Sequence, residues 1–305
     1  MTADAGPARI KRAELARRLA GLGTAAVAFS GGVDSTFLLS ECQKALGPGA
    51  LAVTGRSLSF PPRELEEARR FAGERGIRHR IVDSEELDEP GFADNPPHRC
   101  YLCKRGLFTR IRAVAEEEGA RWVLEASNVD DEGDYRPGLA AVSEMGILSP
   151  LRECGLTKDE IRLLSLEDGL PTWDKPSFAC LASRFPYGER ITPEALRRVD
   201  AAEECLMALG VRQVRVRLHE KGTLARIEAD EEGLDLLSSP EARREALAKL
   251  RGLGFSYVAV DLAGYRTGSM NLTLPDASAR KGAAAGGESG AVGGGAVIPE
   301  NGGKG

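Results

Sequence analysis

Three groups of residues in this chain have types and spacings that can do chemistry. The first is the string Ala28-Phe29-Ser30-Gly31-Gly32-Val33-Asp34-Ser35-Thr36, in which a short apolar run enters two glycines and leaves as a helix-forming segment. Glycine lets a backbone approach a ligand closely and take positive φ. The amides at the following helix N-terminus, with the hydroxyls of Ser30 and Ser35, can then hold an anion. The second group is Cys100-x-x-Cys103, preceded by His98, together with Cys180 in Trp173-Asp174-Lys175-Pro176-Ser177-Phe178-Ala179-Cys180-Leu181-Ala182-Ser183-Arg184. Thiolates in such a set suit soft metals, clusters or redox work, and His98 with the three cysteines offers a structural zinc site as a lesser alternative. The third is Arg215-Val216-Arg217. On a strand these side chains leave the same face about 6.6 Å apart, close enough to grip one phosphate, although a solvated strand face has the same pattern.

The Ser30 string is not the common nucleoside triphosphatase loop, which needs Gly-x-x-x-x-Gly-Lys. It resembles the pyrophosphatase loop (PP-loop) of ATP enzymes that cleave between the α and β phosphates. That resemblance implies ATP held by Ser30, Gly31, Gly32, Asp34 and Ser35. It also implies transfer of AMP to an oxygen nucleophile, commonly a carboxylate, before nitrogen or sulfur attacks the adenylate. Asn128 to Asp134 follows a later strand with several carboxylates, of which Asp130 or Asp131 could hold Mg²⁺ beside the phosphates or could merely cap a helix. Lys104 and Lys175 could neutralise phosphate charge, and Glu203 and Glu228 could contact a divalent metal or the substrate.

These residues need elements to carry them. Apolar spacing predicts a leading helix over Ala8–Leu22 and then strands at Ala25–Phe29, Leu51–Thr54, Arg80–Val82 and Arg121–Ala126. Helices at about Ser35–Ala45, Arg63–Arg75 and Tyr101–Glu118 alternate with them, and Asp88–His98 reads as a polar, proline-rich loop. Alternation of this kind predicts an α/β fold, a parallel sheet with helices on both faces, with ligands beyond the carboxyl ends of the strands where Ser30, Ser57 and Ser127 fall. A helix at Thr157–Asp168 completes a first domain, 1–170. An irregular stretch, Pro171–Thr192, leads into a smaller α+β domain, with a helix at Pro193–Leu209, strands at Val211–His219 and Thr223–Ala229, a helix at Glu241–Leu253 and a strand at Tyr257–Asp261. This second domain spans 171–275. The Gly/Ala-rich remainder, Asp276–Gly305, is expected to be disordered: from Lys281 onward it holds 10 of the 36 glycines and no aromatic residue, too little apolar surface to offset the entropy of ordering.

Composition closes off other classes. No apolar run approaches the length of a bilayer span. The short run at Ala25–Phe29, followed by a glycine pair, is a strand and turn rather than a signal peptide. A net charge of −5 is a poor match to nucleic-acid phosphates. Six cysteines in a 305-residue chain with no secretion signal are expected to be reduced, in the cytoplasm. Cys42, Cys154 and Cys205 fit no motif and read as packing residues, and His79 has no evident partner.

The whole pattern resembles the ATP-dependent sulfur transferase family that matures the nickel-pincer nucleotide cofactor of lactate racemase, the LarE family. The likeness runs from about Leu15 to Leu272. It is carried by the Ser30 loop, Arg99-Cys100-Tyr101-x-Cys103-Lys104 read as one segment, Asp134-Tyr135-Arg136-Pro137-Gly138, Trp173 through Arg184, Arg215-Val216-Arg217, and Gly264-Tyr265-Arg266-x-Gly268-Ser269-Met270-Asn271. The resemblance implies an adenine-nucleotide-hydrolase-like fold and a substrate, pyridinium-3,5-dicarboxylate mononucleotide, whose carboxylates become thiocarboxylates through an acyl adenylate. It implies Arg184, Arg215 and Arg217 as holders of substrate phosphate or carboxylate, and a homo-hexamer. Members with one linker cysteine give up its own sulfur, a role that falls here on Cys180. Members with three such cysteines are implied to bind a [4Fe-4S] cluster through residues matching Cys100, Cys103 and Cys180, and that catalytic set is the one expected here. Competing readings are a tRNA thiolase, an ammonia-fed amide synthetase and a non-catalytic nucleotide-binding module. The acidic balance, the lack of a glutaminase-like Cys/His arrangement and the intact Ser30-Asp34-Ser35 loop speak against them in turn.

Overall fold

The structure is a computed structural model that describes residues 5–133 and 137–274. Asp134, Tyr135 and Arg136 of the family motif, and the glycine-rich tail from Asp276, lie outside the described residues.

Helix α1 (Ala5–Ala20) leads into β1 (Ala25–Ala28), α2 (Val33–Leu46), β2 (Ala50–Arg56), α3 (Pro62–Glu74), β3 (Arg78–Asp83), α4 (Arg99–Glu117) and β4 (Trp122–Leu124). The four strands form one parallel sheet in the order β3-β2-β1-β4. Successive residues of β1 and β2 point to opposite faces, and each face has its own core. Ala25, Val27, Ala50 and Ala52 pack with Leu15, Phe37, Phe71 and Leu164. Ala26, Leu51 and Val53 pack with Phe108, Ile111 and Val142 on the other side. Burial on both faces is what makes these strands read as unbroken apolar runs, and it leaves only the carboxyl edge for polar groups.

Short helices α5 (Gly138–Glu144) and α6 (Pro150–Glu153) follow, neither evident from periodicity, and then α7 (Lys158–Glu167). Helix α7 starts from a reciprocal capping box, Thr157 with Glu160. The connecting segment is irregular apart from one tight turn, Leu181–Arg184, yet it is no free linker: Leu181, Ala182, Phe185 and Ile191 are all buried. Beyond it come α8 (Pro193–Ala208), β5 (Val214–His219), β6 (Leu224–Ala229), α9 (Glu231–Ser238), α10 (Pro240–Gly252) and β7 (Tyr257–Val260). Side chains of Thr192, Asp230 and Ser239 each accept the N3 amide of their helix. The second sheet has the order β5-β6-β7, antiparallel then parallel. Its core joins Leu196, Val199 and Leu206 to Val214, Val216, Ile227 and Leu250. Among the described residues no helix is long and apolar enough to cross a membrane.

Candidate active site

The turn after β1 does what its composition requires. Gly31 sits at φ +69°, with α3 packed against it: an added Cβ would lie 3.5 Å from Ala68 Cβ and 3.6 Å from the Glu64 carbonyl. Ser30 Oγ and Ser35 Oγ are 3.0 Å apart across the turn, and Ser35 Oγ donates to the Gly32 carbonyl at 3.2 Å. The turn opens on a cavity of about 310 Å³. Ser30, Gly32, Asp34 and Ser35 line it, with Glu125, Ser127 and Asp131 from beyond β4 and Pro176, Ser177 and Phe178 of the connecting segment.

Two lysines enter this cavity. Lys104 leans 3.6 Å from the buried carboxylate of Glu125. Lys158, not singled out by any sequence motif, donates to Asp34 Oδ2 at 2.6 Å. Burial pushes the Asp34 carboxyl above its ordinary range, against the pull of Lys158 and with a further push from Asp131. Asp34 Oδ1 is buried and makes no hydrogen bond. Two neighbouring carboxylates, one with an orphaned oxygen, fit a hard divalent cation, so Asp34 and Asp131 are the pair suited to Mg²⁺. Asp130 is not in this lining. Its Oδ2 accepts the Lys158 amide at 2.7 Å, at the first turn of α7, because that amide has no partner inside the helix. Lys175 also lies elsewhere, behind the turn, donating to Glu64, Glu67 and the Gly31 carbonyl.

The cysteines stand on the two segments that bring Lys104 and Phe178 to this cavity. Cys100 and Cys103 are in the first two turns of α4, and Cys180 immediately precedes the tight turn at Leu181. All six cysteines are free thiols, with Cys100 and Cys180 exposed and Cys103 half-buried. Cys180 is tied to the end of β2: the Leu181 amide donates to the Ser59 carbonyl at 2.9 Å, and Ser59 Oγ donates to the buried carboxylate of Glu86. Although Cys180 keeps an exposed surface, the protein crowded around its sulfur pushes the thiol up by desolvation and Glu86 adds to the shift, opposed by Ser59 and Arg99. Cys103 is raised well above the ordinary thiol range by burial, reinforced by the charges of Cys180, Glu86 and Cys100. The three sulfurs therefore share one electrostatic neighbourhood, and their soft donor chemistry fits an iron–sulfur cluster. Among the described residues, however, no three Cys, His, Asp or Glu side chains are gathered closely enough to hold a metal ion. A cluster would have to draw the first two turns of α4 and the Cys180 segment together. His98 is exposed and joins no such group.

The arginines depart most from expectation. The open arginine face of β5 does not exist: Arg215 is 1% and Arg217 5% exposed. Arg184 forms a bidentate pair with the fully buried Glu203, both contacts 2.8 Å, and donates to the carbonyls of Ala179 and Cys180. Arg217 pairs with buried Glu228 at 2.7 Å and donates to the Ser183 carbonyl and to Ser269 Oγ. Arg215 donates to the Ser177 carbonyl and stacks on Phe178 and Tyr265. Burial lowers its pKa to about 10, helped by Arg184, and among the described residues no carboxylate lies within ion-pair distance of it. Thus Glu203 and Glu228 serve as counter-charges rather than as an open metal site. All three arginines reach back to the backbone of 177–184, clamping the segment that carries Cys180. Alternation along β5 locates the arginines but cannot reveal this clamp, because its other half is a loop more than thirty residues away.

A parallel sheet with a Ser-Gly-Gly-Val-Asp-Ser turn at its carboxyl edge defines an α/β protein of the PP-loop, adenine-nucleotide-hydrolase class. Comparison with known proteins agrees. The chain is 30% identical over half its length to the argininosuccinate synthase of Haloarcula marismortui. It is 31% identical over 48% of its length to one component of the glutamine-hydrolysing GMP synthase of Methanothermobacter thermautotrophicus. No protein-family profile matches the chain. Other relatives match over most of their length and of this chain. An uncharacterised protein of Synechocystis is 43% identical over 83% of this chain and 94% of its own length. The pyridinium-3,5-bisthiocarboxylic acid mononucleotide synthase of Lactiplantibacillus plantarum is 37% identical over 88% of this chain and 96% of its own. The chain belongs to the family of that synthase, the LarE family.

Proposed function

We propose that this protein is an ATP-dependent sulfur transferase that converts the carboxylates of pyridinium-3,5-dicarboxylate mononucleotide to thiocarboxylates. The observation that carries this reading is the continuity of one segment. Pro176–Phe178 lines the phosphate cavity, and two residues later comes Cys180, whose charge is felt at Cys103.

The Ser30–Ser35 turn holds the phosphates of ATP on backbone amides and hydroxyls, and Asp34 and Asp131 are the residues that would hold Mg²⁺, which would neutralise phosphate charge when bound. A substrate carboxylate oxygen attacks the α-phosphorus. The bond from that phosphorus to the β-phosphate oxygen breaks, and its electron pair leaves with pyrophosphate. Sulfur then attacks the acyl carbon, the bond to the AMP oxygen breaks, and a thiocarboxylate remains. Sulfide from a separate donor supplies the sulfur. A [4Fe-4S] cluster held by Cys100, Cys103 and Cys180 supplies, when bound, an open iron for that sulfide. Arg184 and Arg217 keep the Cys180 segment in place, and Arg215, whose charge is least neutralised, remains the arginine best suited to a substrate anion. The same reading carries a homo-hexamer, which light scattering tests.

Pyrophosphate release from ATP is expected to require the pyridinium mononucleotide. Release driven by tRNA or ammonia instead would replace the reading with a thiolase or an amide synthetase.

A further inference from the structure

Lys158 stands in an unusual place. It is the first residue of α7, whose first turn otherwise carries Asp159 and Glu160. A cation there opposes the helix dipole, so the position does not serve α7. Its backbone is pinned by Asp130 and its ammonium by Asp34, so the side chain spans from one helix N-terminus to another. The second of these, the start of α2, is the anion-binding turn. Lys158 and Asp34 keep 30% and 22% of their side-chain surface, and both line the phosphate cavity. Lys104, the other lysine of the cavity, approaches from α4 and leans toward Glu125.

We propose that Lys158 is a catalytic residue that contacts and neutralises the departing pyrophosphate, with Asp34 holding its ammonium in readiness while the cavity contains no phosphate. The proposal rests on the adenylation reading above. As the α-phosphorus bond breaks, negative charge builds on the leaving oxygens beside the α2 amides. An ammonium already at that helix start stabilises the charge without moving a proton. A divalent cation, when bound, would take the Asp34 carboxylate, and Lys158 would then be free to turn to the phosphates by rotating a flexible stem. A cation pre-set where charge develops is worth about 10²–10³ in rate.

The test separates leaving group from nucleotide. Lys158→Met keeps the stem and removes the charge, and Lys158→Arg keeps the charge. Inorganic pyrophosphate and AMP are titrated separately into each full-length protein, with Mg²⁺, by calorimetry. Lys158→Met is expected to weaken pyrophosphate binding about tenfold or more while AMP binding stays within about twofold, and to slow pyrophosphate release about 100-fold. Lys158→Arg should recover most of the pyrophosphate affinity. Unchanged pyrophosphate affinity in Lys158→Met, equal loss for both ligands, or a wild-type protein that binds no pyrophosphate would overturn the assignment. The binding contrast needs no substrate. A wild-type enzyme that shows it but releases no pyrophosphate with the pyridinium mononucleotide would therefore remove the substrate reading and leave Lys158 in place.

Discussion

The two halves of this molecule treat charge in opposite ways. At the carboxyl edge of the first sheet, Ser30, Ser35, Asp34 and Lys158 face a cavity, and Asp34 retains an oxygen with no partner. Around the second sheet, Arg184 with Glu203 and Arg217 with Glu228 are sealed away from water and satisfied by each other. The first arrangement keeps polar groups available for a ligand. The second spends them on holding a loop. A buried, bidentate ion pair offsets its own desolvation only with near-ideal geometry, and its value here is the fixed position it confers on the backbone of 177–184. The pattern of charge along a strand is thus no guide to whether that charge meets substrate or structure.

This contrast can be broken first at the open edge. Asp34→Ala is expected to lower substrate-dependent pyrophosphate release by about 10³-fold with no change in circular dichroism or melting temperature, since its carboxylate faces a cavity. Gly32→Val should match it, because Gly32 lines that cavity and a side chain would stand where phosphate binds. Release at the wild-type rate in both would remove the nucleotide assignment.

At the sealed pairs the expected loss is in stability. Arg184→Ala strands the Glu203 carboxylate without its partner and should cost about 3–5 kcal/mol in urea unfolding. The double variant Arg184→Met with Glu203→Leu should cost much less, because no lone charge remains. Equal losses in the single and double variants would mean that packing, not charge, is what Arg184 supplies.

The cysteine segment joins the two regions, and there the effect falls on composition. Cys100→Ala and Cys103→Ala proteins prepared without oxygen should lose iron and acid-labile sulfide along with thiolation. Wild-type thiolation in both, or a mass loss of one H₂S at Cys180 after a single turnover, would restore Cys180 as a sacrificial donor.

The smallest effect is on acid stability. Burial alone would raise the Glu203 carboxyl, but Arg184 overrides this and holds it below its ordinary range. Between its folded value and the ordinary carboxylate value, near pH 4, the unfolded chain binds the extra proton. The stability it contributes is therefore present above that ordinary value and lost as pH falls through the lowered one. Urea midpoints should decline toward acid, and Glu203→Gln should decline less steeply. Parallel curves would locate the acid sensitivity elsewhere.

What is legible in the sequence follows the same division. The Ser30 turn is readable because its partners are neighbours: glycine, hydroxyl and helix start lie within six residues. The parallel sheet is readable because strands buried on both faces leave plain apolar runs. Asp34 and Lys158 are 124 positions apart, and only the capping signature Thr157-x-x-Glu160 hints that a helix begins there. Ser59 and Glu86 meet across two strands with no motif to join them. Periodicity puts the β5 arginines on the correct strand but on an open face, because alternation reports which residues share a side and not what covers it. Helices α5, α6 and α9 are too short to show a period.

The central claim joins the ATP cavity to the three cysteines in one reaction on one substrate. It is tested most directly by mass spectrometry of the pyridinium dicarboxylate mononucleotide after anaerobic turnover with ATP, Mg²⁺, sulfide and this protein. The expected product has sulfur in place of one carboxylate oxygen, then of a second, with one pyrophosphate released for each replacement. Pyrophosphate released with the carboxylates unchanged or converted to amides, or sulfur incorporated without pyrophosphate, would contradict it.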